Sequence, residues 1–140
     1  MICYMPLKHG IKHDIEVMGL YSEWSGIPPI SDKEMVINLT TVVARLGDYY
    51  KGRIVGSAQL IMIYDYVWDM YFGLIENVFV SEEYREKGIA KGLMKELEVI
   101  AKNKGCVFLK LTSSLEKEAG HALYRSLGYI EGRSFKKWLQ

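Results

Sequence analysis

Apolar residues recur along the chain with two different periods. Val17, Leu20, Tyr21 and Trp24 stand at helical spacing within residues 12–24, although Gly19 weakens that run. Gly26-Ile27-Pro28-Pro29 stops it. Ser31 followed by Glu34 fits a capping box, with Ile30 and Met35 as its hydrophobic staple. Met35, Val36, Leu39, Val42, Val43 and Leu46 then predict a second helix, ended by Gly47. After Gly47 the period shortens. Tyr49-Tyr50, the turn Lys51-Gly52, and Arg53 to Tyr64 predict a hairpin. Residues 74–80 predict a further strand, and residues 2–6 a short one at the start. Ala90, Leu93, Met94, Leu97, Ile100 and Ala101 share one face of a helix that Gly105 ends. Cys106 to Thr112 is apolar enough for a buried strand. Ser113 with Glu116 predicts a capped helix running to about Leu127, and residues 128–139 a closing hairpin. Strand, helix and strand over 74–112 form a crossover unit, which makes its two strands parallel. With the antiparallel hairpin before it, the expectation is an α/β fold with a mixed central sheet flanked by helices.

At 140 residues the length suits one domain, 1–140. Lys plus Arg is 18 and Asp plus Glu is 17, a net charge of +1. A near-neutral chain has no global field to attract nucleic acid or anionic lipid, so neither is expected as a partner. Any phosphate must be held by local geometry. Cys3 and Cys106 lack the spacing of a zinc site and are too few for a disulfide scaffold. The start of the chain lacks a signal-peptide pattern, and the most apolar stretch, Ile54 to Tyr64, is too short to span a bilayer. A cytoplasmic protein with reduced thiols is expected.

Val78-Phe79-Val80 runs into Arg85-Glu86-Lys87-Gly88-Ile89-Ala90-Lys91. A helix start leaves backbone N–H groups unpaired and carries partial positive charge. Small residues at Gly88 and Ala90 let those amides approach a phosphate, and Lys87 and Lys91 add charge. Neither a P-loop nor a dinucleotide fingerprint is present; the spacing is Arg-x-x-Gly-x-Ala.

Residues 74–94 resemble the acetyl-CoA-binding motif of the GNAT superfamily of N-acetyltransferases. His121-Ala122-Leu123-Tyr124-Arg125-Ser126-Leu127-Gly128-Tyr129 resembles that family's C-terminal segment. The resemblance implies the single-domain GNAT fold and transfer of acetyl from acetyl-CoA to an amine acceptor, by direct attack and without a metal. It implies that Asn77, Val78, Phe79 and Val80 pair with the pantetheine arm where the two central strands splay at a bulge. It implies that Arg85, Glu86, Lys87, Gly88, Ile89, Ala90 and Lys91 hold the pyrophosphate. Tyr124 stands where the family often places the acid that protonates the departing thiolate; a packed core aromatic is the plainer reading. Glu76 stands where a carboxylate often takes the amine proton; a solvated or salt-bridged Glu is the plainer reading. Arg85 could equally brace the loop. Many members carry an Asn before the last helix; that position holds Lys117 here, with Gly120 three residues on. His121 is a weaker candidate base.

The aromatic stretch Tyr64, Tyr66, Trp68, Tyr71 and Phe72 suits an acceptor pocket, a dimer contact, or a packed strand pair with its turn. Asp65 and Asp69 suit a cationic amine or a turn. Dimers are common in the family, which leaves a homodimer open. The acceptor is not legible, though near-zero charge and a short chain favour a small-molecule amine. The competing readings are an acyl-CoA-binding or sensor module without turnover and a nucleotide-phosphate enzyme using the same anion cradle, against which the missing P-loop Lys-Ser/Thr argues.

Overall fold

Thr40-Thr41-Val42-Val43 places four β-branched residues in a row. Such side chains lose χ1 freedom in a helix and pack well on a pleated sheet. In the computed structural model, which describes residues 1–6, 20, 39–47, 52–65 and 67–139, Leu39–Leu46 is a β-strand, β2. The helix expected to run through Leu46 is therefore corrected over these eight residues. Val42, Val43 and Ala44 are all fully buried, so both faces of β2 are covered. Two-sided burial removes the polar half of the strand alternation, and what remains imitates helical spacing. The helix expected over 12–24, the start of the one expected after Ser31, and Tyr49-Tyr50 lie outside the described residues, apart from Leu20, which is helical.

The sheet has five strands in the order β1-β2-β3-β4-β5: β1 (Ile2–Pro6), β2, β3 (Ile54–Asp65), β4 (Met70–Val80) and β5 (Cys106–Leu111). The first four pair antiparallel in sequence. Strand β3 pairs with 39–46, with Val43 against Ser57, while the expected first arm of its hairpin at Tyr49-Tyr50 lies outside the described residues. Helix α1 (Ile89–Asn103) links β4 to its neighbour β5, the connection that parallel neighbours require. The mixed α/β sheet expected from the sequence is present.

Helix α1 buries Ile89, Leu93, Met94, Leu97 and Ala101, one stripe at helical spacing. Full burial of each Leu or Met contributes roughly 1.5–3 kcal/mol. The stripe meets the sheet where Gly56 leaves room: a Cβ there would lie 3.2 Å from Leu93 Cδ1 and 3.3 Å from Ile89 Cγ2. A second cluster gathers Leu20, Val43, Ile54 and Phe79, with Met5 against it. At the far end of the sheet, between β3 and β4, residues 67–69 form a turn. Asp65 Oδ1 accepts from the amides of Val67 (3.0 Å) and Trp68 (3.3 Å), Asp69 adopts φ 50°, and Tyr64 pairs with Tyr71 across the strands. The described members of the aromatic stretch therefore build a hairpin and its turn, and Asp65 serves that turn. Among the described residues no helix is long and apolar enough to cross a membrane.

The chain divides into two compact units, Met1–Lys110 and Leu111–Gln140. The second unit carries helix α2 (Glu118–Ser126). Its N-cap is Lys117, without a side-chain cap, so the capping box expected from Ser113 and Glu116 does not form; a turn at 115–116 intervenes. The C-terminus of α2 is closed by backbone bonds. Tyr129 N donates to Tyr124 O and Gly128 N to Arg125 O, both at 3.0 Å, with Gly128 at φ 86°. These two bonds define a Schellman motif, and the Tyr124 and Tyr129 rings make its apolar contact at 6.1 Å. Residues 129–139 hold no regular secondary structure, which corrects the expected closing hairpin.

Candidate active site

Strand β4 carries the first half of the site. Its register against β3 runs Ser57 to Phe79 and then Gln59 to Glu76. Asn77 and Val78 thus stand against Ala58 alone, which is a β-bulge. Asn77 has φ 52°, a left-handed conformation that Asn tolerates better than most residues because its short amide can hydrogen-bond nearby. Here Asn77 Nδ2 donates to Gln59 Oε1 at 2.8 Å. Gln59 Nε2 in turn donates to Thr41 Oγ1 at 3.4 Å. Thr41, Gln59 and Glu76 are directly opposed across three strands and so share one face of the sheet. Glu76 is half-buried there.

Beyond Val80 the chain makes one 3-10 turn, Glu82–Tyr84, and enters the loop. Glu86 (φ 60°) and Gly88 (φ 77°) turn the backbone twice before α1 begins. The first bond of α1 runs from Gly92 N to Gly88 O at 3.0 Å, leaving the amides of Ile89, Ala90 and Lys91 without intrahelical acceptors. A Cβ at Gly88 would meet nothing within 4 Å, so the approach to these amides is open. Open space, convergent donors and the positive end of a helix suit the pyrophosphate of CoA. Only the backbone of Ile89 is available to a ligand, because its side chain is in the core.

Arg85 braces this loop. Its Nε donates to Val80 O at 3.0 Å, and its guanidinium lies 5.7 Å from the centre of the Phe79 ring. Its backbone amide is taken by Glu82 O. Lys87 turns back to donate to Glu83 O at 2.8 Å and lies over the Tyr84 ring. Lys91 is exposed.

Tyr124 belongs to the second unit. It is half-buried, and burial raises its phenol above the ordinary value of 10.0. In that unit His121 Nε2 lies 2.9 Å from Ser114 O. A carbonyl only accepts, so this nitrogen carries the proton and is held by a backbone bond. Among the described residues no group of three or more His, Cys, Asp or Glu stands together.

Gln59 and Thr41 escape a reading of local pattern, since their partners are remote in sequence. The available signal is a lone amide inside the largely apolar strand 54–64.

A bulged strand running into a helix start with unpaired amides, within a mixed sheet, is the arrangement expected of an acyl-CoA-dependent acyltransferase. Residues 15–129 match the acetyltransferase (GNAT) family. The chain is 33% identical over 123 residues to the glucosamine 6-phosphate N-acetyltransferase of Trypanosoma brucei brucei, covering 82% of this chain and 79% of that protein. It is 37% identical over 57 residues to the aminoglycoside N(6')-acetyltransferase type 1 of Acinetobacter baumannii, a match spanning 41% of this chain and 39% of the relative. The crystal structure of a Trypanosoma brucei acetyltransferase shares the fold at a TM-score of 0.80 and 27% identity, over 99% of this chain and all of that one. An aminoglycoside acetyltransferase from an uncultured soil metagenomic sample, solved with sisomicin, shares the fold at 0.84 and 15% identity, over 99% and 95% of the two chains. The chain belongs to the GNAT family and is an acetyl-CoA-dependent N-acetyltransferase.

Proposed function

We propose that this chain, acting as one catalytic domain over its 140 residues, moves acetyl from acetyl-CoA directly to a primary amine of an amino sugar. The observation that carries the reading is the open left-handed turn at Gly88, which presents the unpaired amides of Ile89, Ala90 and Lys91 just beyond the bulge of β4. The amides hold the pyrophosphate, and the backbone of residues 77–80 guides the pantetheine arm.

In the ternary complex a neutral amine attacks the thioester carbonyl; the C–N bond forms and the C–S bond breaks. Glu76 accepts the proton that the amine gives up, directly or through water. Tyr124 donates a proton to the departing thiolate. Its raised value keeps it protonated throughout the neutral range, as a donor must be. A thioester is already activated toward amines, so a metal is not required by the chemistry.

The amino-sugar assignment is supported by the relatives, which are named for glucosamine 6-phosphate and for aminoglycosides. Both acceptors carry amines on sugar rings. Incubating the protein with acetyl-CoA and a panel of amines, with free thiol as readout, tests this. Amino sugars should release thiol faster than polyamines, amino acids or peptides, and a chelator should leave the rate unchanged. Binding of acetyl-CoA without thiol release from any amine would reject turnover and leave a binding module.

A further inference from the structure

We propose that Gln59 is a positioning residue for the pantetheine arm: its buried side-chain amide clamps Asn77 and so holds the bulge of β4 in its binding geometry. The inference rests on the acetyl-CoA reading above and concerns how the strand, rather than the loop, achieves its part of it.

The bulge needs such a device. Asn77 is held at φ 52°, where a residue other than Gly meets steric opposition from its own Cβ. Two residues, Asn77 and Val78, oppose one, Ala58, so the regular ladder does not set their orientation. A side-chain bond from outside the bulge can. Gln59 is on the neighbouring strand and mostly buried, at 9% exposure. Its two amide atoms have different partners: Oε1 accepts from Asn77 Nδ2 at 2.8 Å, and Nε2 donates to Thr41 Oγ1 at 3.4 Å. The Thr41 contact holds the nitrogen end of the Gln59 amide while its oxygen faces Asn77. Thr41 is itself fully buried on β2, an inner strand of the sheet, so the clamp is anchored in the core. The amides of Ile89, Ala90 and Lys91 belong to a different element from this triad. The clamp should therefore govern the pantetheine half of CoA and leave the nucleotide half untouched.

Calorimetric titration with two probes separates these halves: CoA itself, and the nucleotide half of CoA lacking pantetheine. Gln59→Met keeps the length of the side chain and removes both bonds. It should weaken CoA by roughly three- to tenfold, the net value of a lost hydrogen bond, and leave the nucleotide half unchanged. Asn77→Gly provides a variant at an exposed position, so its folding does not depend on repacking the core. It tolerates the left-handed conformation but lacks the clamp, and it should show the same selective loss. The double variant should be no weaker than either single one, because both remove the same contact. Equal loss for the two probes, unchanged CoA affinity in Asn77→Gly, or additive losses in the double variant would overturn the proposal. Failure of the parent protein to bind CoA would overturn the acetyl-CoA reading itself, and this inference with it.

Discussion

Gly92 on α1 faces the ring of Tyr4 on β1 so closely that a Cβ at position 92 would overlap it. The contact joins the edge strand to the helix whose start is the proposed cofactor cradle. It also reverses the sign of an ordinary substitution. Within an exposed helix, Gly→Ala stabilises by roughly 1 kcal/mol. Here the added methyl meets a stiff ring, and overpacking costs about 1–3 kcal/mol. Gly92→Ala should therefore lower stability in denaturant titration, and Tyr4→Ala in the same chain should recover part of the loss. An Ala variant more stable than the parent would show that the ring moves aside freely.

Gly88 is the opposite case. Nothing stands within 4 Å of its missing Cβ, so the fold has room for a side chain that the site does not. Gly88→Trp should cost roughly 1–2 kcal/mol in stability, from the φ of 77° alone. It should weaken CoA by about tenfold or more, a loss of at least roughly 1.4 kcal/mol, by covering the amides of Ile89 to Lys91. Wild-type affinity in a folded Gly88→Trp protein would remove the loop from the cofactor site.

Tyr124→Phe deletes one hydroxyl and keeps the ring that packs against Tyr129. A general acid contributes about 10²- to 10⁴-fold, so kcat should fall by that order while CoA affinity holds. The pH dependence has a definite sign. In the proposed mechanism the protonated phenol is the active form, and burial raises its pKa above 10.0. Activity in the parent should persist up to that range and fall as pH rises through the raised value; the Phe variant should lose this limb. A kcat within a few-fold of the parent, with chemistry limiting, would make solvent the donor.

Glu76→Gln keeps the size of a side chain that shares its sheet face with Gln59 and Thr41, and it removes the ability to take a proton. The expectation is a fall in kcat of roughly 10²-fold or more with unchanged CoA binding. A raised KM for the amine at constant kcat would instead make Glu76 a contact for the acceptor.

Some elements were legible because their signals act over a few residues. The stripe of α1 repeats at helical spacing, so its buried face follows from the order of Leu93, Met94, Leu97 and Ala101. The Tyr124 to Tyr129 segment carries its own stop: Gly128 at the position that needs positive φ, with an aromatic on each side of the cap. The spacing Arg85-x-x-Gly88-x-Ala90 marked the helix start, because an open approach to backbone amides requires small residues there.

Other features depend on partners far along the chain. Burial on both faces concealed β2, and that burial exists only once β1, β3 and the cores on either side assemble around it. Capping by Ser113 was expected from a four-residue pattern, yet the chain turns at 115–116 and starts α2 at Glu118. Within itself, then, the sequence determined the cradle, its helix and the cap of α2, since each is a matter of neighbours within one or two turns. Only the tertiary structure decided the pairing of β2 with β3, the bulge at Asn77 and its clamp by Gln59. Strand pairing and side-chain bonds between residues 18 positions apart arise when the chain closes on itself, and no local period records them.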